Sequence, residues 1–249
     1  MLRLANMRMQ LALLWAVLVV ALLGCNSDRY CVRGDGFPQR ETRIFETNFT
    51  EIDLRLAGRI FLSIDTSLTY NEIEVRAQDN ILDEICTVVN NNRLEIDFQN
   101  CIKQHSDIEF TLRMNDLERI QLTGVGDVES TSLLLLDTLD IDISGSGDVS
   151  LILHTDRLNT TIEGAGNVFL EGLCEYHNFG INGGGDVNAF EFITDSVVAS
   201  IQTTGRGRVQ VEDFLEVNLN GIGDLLYRGE PTVINRFGTG SGQIVDDNL

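Results

Sequence analysis

From Phe45 onward, apolar and polar residues alternate with a period of two. Ile52-Asp53-Leu54-Arg55-Leu56, Ile60-Phe61-Leu62-Ser63-Ile64 and Leu94-Glu95-Ile96-Asp97-Phe98 are early instances. Such alternation predicts strands with one face buried and the other in water. Beyond the leader no segment sustains a 3.6-residue apolar stripe, and the chain holds only 2 prolines. The pattern predicts an all-β protein.

Inside this alternation one phrase recurs: a polar residue, Gly, any residue, Gly, usually Asp or Asn, then an aliphatic. Its glycine pairs are Gly124 and Gly126, Gly145 and Gly147, Gly164 and Gly166, Gly183 and Gly185, Gly205 and Gly207, Gly221 and Gly223, and Gly240 and Gly242. The first glycines lie 21, 19, 19, 22, 16 and 19 residues apart. Each unit reads as strand, glycine corner, strand and second turn. One unit cannot bury its apolar side, but units stacked in parallel at about 4.8 Å align their inward aliphatics into columns. The period therefore predicts a parallel β-helix, or β-solenoid, of about 19–20 residues per coil over residues 45–246, with the glycine repeats in 115–246. A sandwich would show short hairpin turns, and a propeller repeat would be about twice as long. The 22-residue step predicts an insertion near Ile201-Gln202-Thr203-Thr204, and the 16-residue step a shortened second turn.

Glycine at the corners is expected to supply positive φ, which other residues adopt only at a cost of roughly 1–2 kcal/mol. A dinucleotide fingerprint would need a third glycine and a following helix. Strands follow here, so nucleotide binding is excluded. The residues after the second glycines, Asp127, Asp148, Asn167, Asp186, Arg208, Asp224 and Gln243, are expected to share one edge. Interspersed Asn167 and Arg208 relieve carboxylate repulsion, and aspartate also accepts N–H bonds at turns, so the column reads as structural. The competing reading is a Ca²⁺ ladder centred on Asp127 and Asp148, against which Arg208 argues on its own rung. No other cofactor is expected.

Catalytic groupings are sparse. His105, His154 and His177 stand in unrelated contexts, and Asp186, Arg208 and Asp224 form the one set resembling a polysaccharide lyase or hydrolase centre. A cross-rung salt bridge accounts for them more simply. Phe190, Phe192 and Phe214 read as inward or capping residues, so the chain is expected not to be an enzyme.

The leader changes the setting. Arg3 and Arg8 precede an apolar run from Leu11 to Leu23, too short and wrongly flanked for a spanning helix. It ends in Leu22-Leu23-Gly24-Cys25, which resembles the lipobox of bacterial lipoproteins. That likeness implies a signal peptide over 1–24, lipidation (palmitate among the acyl chains) at Cys25, and a tether over 25–44. Asn26, where aspartate would resemble an inner-membrane retention signal, favours the outer membrane. Without Arg3 and Arg8 the 18 basic residues become 16 against 38 acidic ones, a net charge of −22. Nucleic acid and anionic lipid are poor partners for such a chain. In an oxidising compartment, the hairpin expected around Val88–Ile96 would bring Cys86 near Cys101, leaving Cys31 with Cys174 by elimination.

The repeated Gly-Ser-Gly-Asp phrase resembles the putative auto-transporter adhesin head GIN domain family. So do Phe49-Thr50-Glu51-Ile52, the hairpin closing at Leu94-Glu95-Ile96, and Leu226-Tyr227-Arg228-Gly229-Glu230-Pro231. That family occurs largely as secreted or lipid-anchored proteins of Bacteroidetes. The resemblance implies a right-handed β-helix and an adhesin-like label, with no catalytic residues to carry over. The resulting expectation is a lipid-anchored envelope module that binds a glycan or an envelope protein. Its rivals are a ligand-free structural or assembly module and a carbohydrate-active enzyme.

Overall fold

The computed structural model describes residues 31–248, so Cys25 and the leader lie outside the described residues. The chain folds as a parallel β-helix of about seven turns. It opens with β1 (Val32–Arg33), β2 (Pro38–Ile44), β3 (Glu51–Leu54), β4 (Arg59–Ile64), β5 (Glu72–Gln78) and a helical turn α1 (Asp79–Leu82). β6 (Ile85–Asn90), β7 (Arg93–Phe98), β8 (Ile102–Gln104) and β9 (Glu109–Met114) follow. These elements do not stack in chain order. β3 and β4 pair in parallel with β7 and β9 on one side, and with β10 (Arg119–Leu122) and β11 (Asp127–Ser130) on the other. The chain thus lays down an inner coil, doubles back to build the end coil, then returns to continue the stack.

Antiparallel strands close that end. β6 covers β7, β5 covers β9, and β2 covers β5 from Pro38↔Gln78 to Ile44↔Glu72. The expected tether over 25–44 is therefore corrected: residues 38–44 form a sheet strand. The corner between Phe49 and the returning chain is held by Asn71, fully buried. Its Nδ2 donates to the Phe49 carbonyl at 2.8 Å, and its Oδ1 accepts the Asn115 N–H at 3.0 Å.

The disulfide expectation also fails. Cys31 bonds Cys101, with Cα atoms 4.6 Å apart, while Cys86 and Cys174 are free thiols. The hairpin of β6 and β7 does form, but its register sets Cys86 opposite Asp97. Cys101 lies past that hairpin, and the parallel pairing of β1 with β8 brings Cys31 beside it.

Beyond β11 the coils run through long strands: β12 (Leu134–Ile143), β13 (Val149–Ile162), β14 (Val168–Ile181), β15 (Val187–Ile201) and β16 (Gly207–Leu219). β17 (Leu225–Arg228), β18 (Val233–Phe237) and β19 (Ile244–Asp246) complete the stack. Inward positions form aliphatic columns, such as Leu139↔Leu158 and Ile143↔Ile162↔Ile181↔Ile201↔Leu219. Burying such a side chain contributes roughly 1.5–3 kcal/mol, so the columns are the main cohesive element.

Candidate binding face

The glycine corner stacks glycine directly on glycine. A Cβ built on Gly145 would lie 1.8 Å from the Gly124 carbonyl oxygen; on Gly147 it would lie 1.7 Å from that of Gly126. The contacts repeat upward, Gly164 on Gly145 and Gly166 on Gly147. They persist in the last coil, where a Cβ on Gly240 would meet the Gly221 oxygen at 2.2 Å and one on Gly242 that of Gly223 at 2.0 Å. None of the corner glycines, from Gly124 and Gly126 to Gly240 and Gly242, has positive φ; that conformation falls on Gly36, Gly172, Gly229 and Gly238. The expected reason for glycine is thus corrected. These positions need a hydrogen where the Cα of one coil meets the carbonyl of the next, a spacing suited to weak Cα–H···O contacts.

Stacking also corrects the frame of the fifth repeat. Gly205 sits on Gly185 and beneath Gly223, in the second-glycine column that Gly242 ends. Thr203 occupies the first, against Gly221, and its hydroxyl donates to the Gly183 carbonyl. Gly207 is not a corner residue. It pairs with Val187 and Leu225 in an inward aliphatic column, where the Leu225 side chain and the Phe179 ring fill the space its side chain would take. Corner positions 124, 145, 164, 183, 203, 221 and 240 are then 21, 19, 19, 20, 18 and 19 residues apart. The extra length lies in β15 rather than at Ile201–Thr204. The register shifts between Ala189 and Ile193, bulging Phe190-Glu191-Phe192. Phe192 turns inward and is fully buried, while Phe190 lies under Arg228, whose guanidinium carbon is 4.0 Å from the ring centroid.

In this frame the polar column is a hydrogen-bond ladder. Asp127 accepts the Asp148 N–H at 3.0 Å, Asp148 that of Asn167 at 2.7 Å, and Asn167 that of Asp186 at 3.0 Å. Asp186 accepts the Arg206 N–H at 2.8 Å, and Asp224 that of Gln243 at 2.8 Å. Arg206, not Arg208, stands in the column. Arg208 reaches Asp186 at 3.4 Å and also donates to Asn188, so the lyase-like set resolves into an ion pair. At the candidate calcium positions, Asp148 additionally accepts the Asn167 side-chain amide, and Asp127 lies 3.7 Å from Arg59. Among the described residues no three His, Cys, Asp or Glu side chains converge on one point.

A different column appears at the second turn. Asp137, Asp156, Glu175, Asp195 and Asp213 occupy successive coils, and all five are exposed. Neighbours one coil rise apart, about 4.8 Å, repel one another. No backbone ladder or interspersed amide offsets this, and the described arginine ion pairs all lie elsewhere. Arg157, one residue along, stacks on Tyr176 at 4.6 Å.

Beside the acidic column runs an exposed apolar one. Leu135, His154, Leu173 and Ile193 are in register, and the three aliphatics are 67%, 46% and 45% exposed. Ile152 and Phe169, both 41% exposed, and Leu133 extend the patch across the same sheet. A shallow groove of about 480 Å³ is lined by Leu135, Leu173, Ile193, His154 and the acids Asp137, Asp156, Glu175 and Asp195. Cys174 lies at its floor with its thiol pKa pushed up to about 11 by burial, with Asp195 and Glu175 adding to the rise. It is no nucleophile at neutral pH.

The three histidines remain apart. His105 lies against Phe98, His154 in the groove, and His177 inside the core with no exposure. His177 shares a 3.2 Å hydrogen bond with the Thr160 hydroxyl and touches the Phe179 and Phe192 rings. Burial drives its pKa down to about 3.

The rod of stacked coils thus carries an exposed apolar–acidic face at its second turn, and a second groove of about 430 Å³ lined by Arg93, Arg119, Asp142 and Glu163. The chain belongs to the family described as putative auto-transporter adhesin, head GIN domain, which matches residues 48–231. Among solved structures it is similar to a putative adhesin from Bacteroides fragilis. The two share 26% identity over 88% of this chain and 100% of that one, with a TM-score of 0.80. A putative lipid binding protein from Parabacteroides distasonis shares the fold at 20% identity, over 88% of this chain and 99% of that one, TM-score 0.70. A putative adhesin from Parabacteroides merdae does so at 20% identity, over 86% and 99%, TM-score 0.67. No curated protein matches the chain. Among the described residues no helix is long and apolar enough to cross a membrane.

Proposed function

We propose that this chain is a lipid-anchored, non-catalytic binding module of the cell envelope, held through Cys25 to the outer membrane. Its partner would be a glycan or protein outside the anchoring leaflet. The observation that carries the binding reading is the set of exposed apolar residues Leu133, Leu135, Ile152, Phe169, Leu173 and Ile193 on one sheet face, interspersed with His154 and Glu171. Soluble proteins seldom leave such patches open without a use for them. Family membership and likeness to the Bacteroides fragilis adhesin support the same reading. The Leu22–Cys25 motif supports the anchor.

A photo-cross-linking residue placed at Leu173, in the full chain on intact cells, tests this directly. A discrete adduct at position 173, absent when the probe sits at Asp142 on another face, is expected. Equal labelling at both positions, or none, would refute a dedicated face. Labelled palmitate should enter the wild type and not Cys25→Ser; incorporation into both would remove the anchor from the account.

A further inference from the structure

We propose that the second-turn face binds a cationic amphipathic helix of a partner protein. This rests on the binding-module reading and names the partner's chemistry. The carboxylates of Asp137, Asp156, Glu175 and Asp195 stack over four successive coils, Glu212 and Asp213 follow across a register shift, and none has an arginine pair among the described residues. At the glycine corner the corresponding residues spend their oxygens on backbone N–H groups and are interrupted by Asn167 and Arg206. The bare column therefore has no structural counterpart in the fold, and a line of positive charge is what complements it.

Size and shape narrow the class. Leu135, Leu173 and Ile193 lie two residues from the acids along each strand, so apolar and acidic columns run side by side along the rod. From Asp137 to Asp213 there are four coil rises, roughly 19 Å. A helix of about 13 residues covers that length, and its turns repeat at about 5.4 Å, near the coil spacing. Laid along the rod, such a helix sets an apolar stripe on the leucines and isoleucine while lysines or arginines along one flank meet the acids. A metal ion does not suit the column, since no three of its ligands converge. An anionic membrane is repelled by it.

The test uses the full chain in phosphatidylcholine nanodiscs, with empty nanodiscs as blank, and a fluorescein-labelled Leu/Lys amphipathic helix of about 14 residues. Anisotropy should show saturable binding that weakens as salt rises from about 0.05 to about 0.5 M. Both Asp156→Asn/Glu175→Gln/Asp195→Asn and Leu135→Gln/Leu173→Gln/Ile193→Gln should bind at least about tenfold more weakly. Asp142→Asn/Glu163→Gln/Glu216→Gln, an equal charge change elsewhere, should match the wild type. The face substitutions and Glu163→Gln are at exposed positions while Asp142 and Glu216 are half-buried, and unchanged far-UV circular dichroism confirms that each variant is folded.

Equal binding of a Lys/Gln peptide would reduce the face to a nonspecific polyanion and overturn the proposal. So would no binding, or tighter binding of a Leu/Glu peptide. Capture of phosphatidylglycerol vesicles, or self-association, abolished by the leucine variant would reassign the face to lipid or to a second copy. A discrete Leu173 cross-link with no Leu/Lys binding would leave the binding module standing and remove only the cationic-helix partner.

Discussion

Three consecutive glycines, Gly183, Gly184 and Gly185, allow the corner account to be tested within a single turn. Alanine at Gly183 would place a Cβ 1.9 Å from the Gly164 oxygen and 2.5 Å from that of Glu163. At Gly185 the Cβ would lie 1.8 Å from the Gly166 oxygen. At Gly184 it meets nothing within 4 Å. Carbon and oxygen settle no closer than about 3.3 Å, so either outer substitution must part the two coils by about 1.5 Å. That displacement breaks the bonds from Gly183 N–H to Ile162, Gly184 N–H to Gly164 and Asp186 N–H to Asn167, at 3.0, 2.8 and 3.0 Å. At about 1 kcal/mol each, with buried groups left unpaired, the loss is about 3 kcal/mol or more. Gly184→Ala instead restricts the unfolded chain and should be neutral or stabilise by about 0.4–1 kcal/mol. Denaturant unfolding followed by circular dichroism separates these outcomes. If all three variants unfolded alike, glycine would not be required by coil stacking.

Thr203→Val keeps the branched shape but removes the hydroxyl held by the Gly183 carbonyl. It should cost about 1–2 kcal/mol in the same assay, and no loss would show that the bond carries nothing. His177 is neutral in the fold, with a pKa lowered by burial to about 3 against an ordinary 6.5. Below pH 6.5 the unfolded chain gains a proton that the fold refuses. Stability should therefore fall with pH between about 6.5 and 3, by about 2 kcal/mol at pH 5. Relative to the wild type, His177→Leu should lose less stability on acidification; parallel pH curves would refute the assignment. Cys31→Ser should destabilise by up to about 4 kcal/mol, as expected for a bridge across a sequence separation of 70, whereas Cys86→Ser should not. The reverse order would contradict the observed pairing.

The coil was legible because one phrase recurs at the length of one turn, with an alternation of period two running between its copies. The fifth repeat misled because Gly205-Arg206-Gly207 spells the phrase two residues late. Only the neighbouring coils reveal that Gly207 replaces an inward aliphatic above the Phe179 ring. The need for glycine at positions such as Gly242 was legible, but its cause was not, because the carbonyl that excludes a Cβ there belongs to Gly223 one coil below. Local hairpin logic failed for the cysteines because coil order departs from chain order, and β1 reaches β8 across the end of the rod. The acidic column carried a readable signal. An acid, any residue, then an inward residue recurs at 137, 156, 175, 195 and 213, spaced 19, 19, 20 and 18 residues apart. All four steps match the corrected corner spacing from 145 to 221. Without glycines to mark it, this second period was eclipsed by the corner motif, and its exposed leucines looked like ordinary strand residues.

The rod divides into a glycine–aspartate corner that builds the scaffold and a second turn that carries the proposed binding face. Thermal unfolding in millimolar Ca²⁺ against EDTA tests that division most directly, because Asp127 and Asp148 already accept N–H groups from the next coil. The midpoint should be the same in both conditions. A rise of several degrees in Ca²⁺ that disappears in Asp127→Asn/Asp148→Asn would make the corner a metal site and contradict the account.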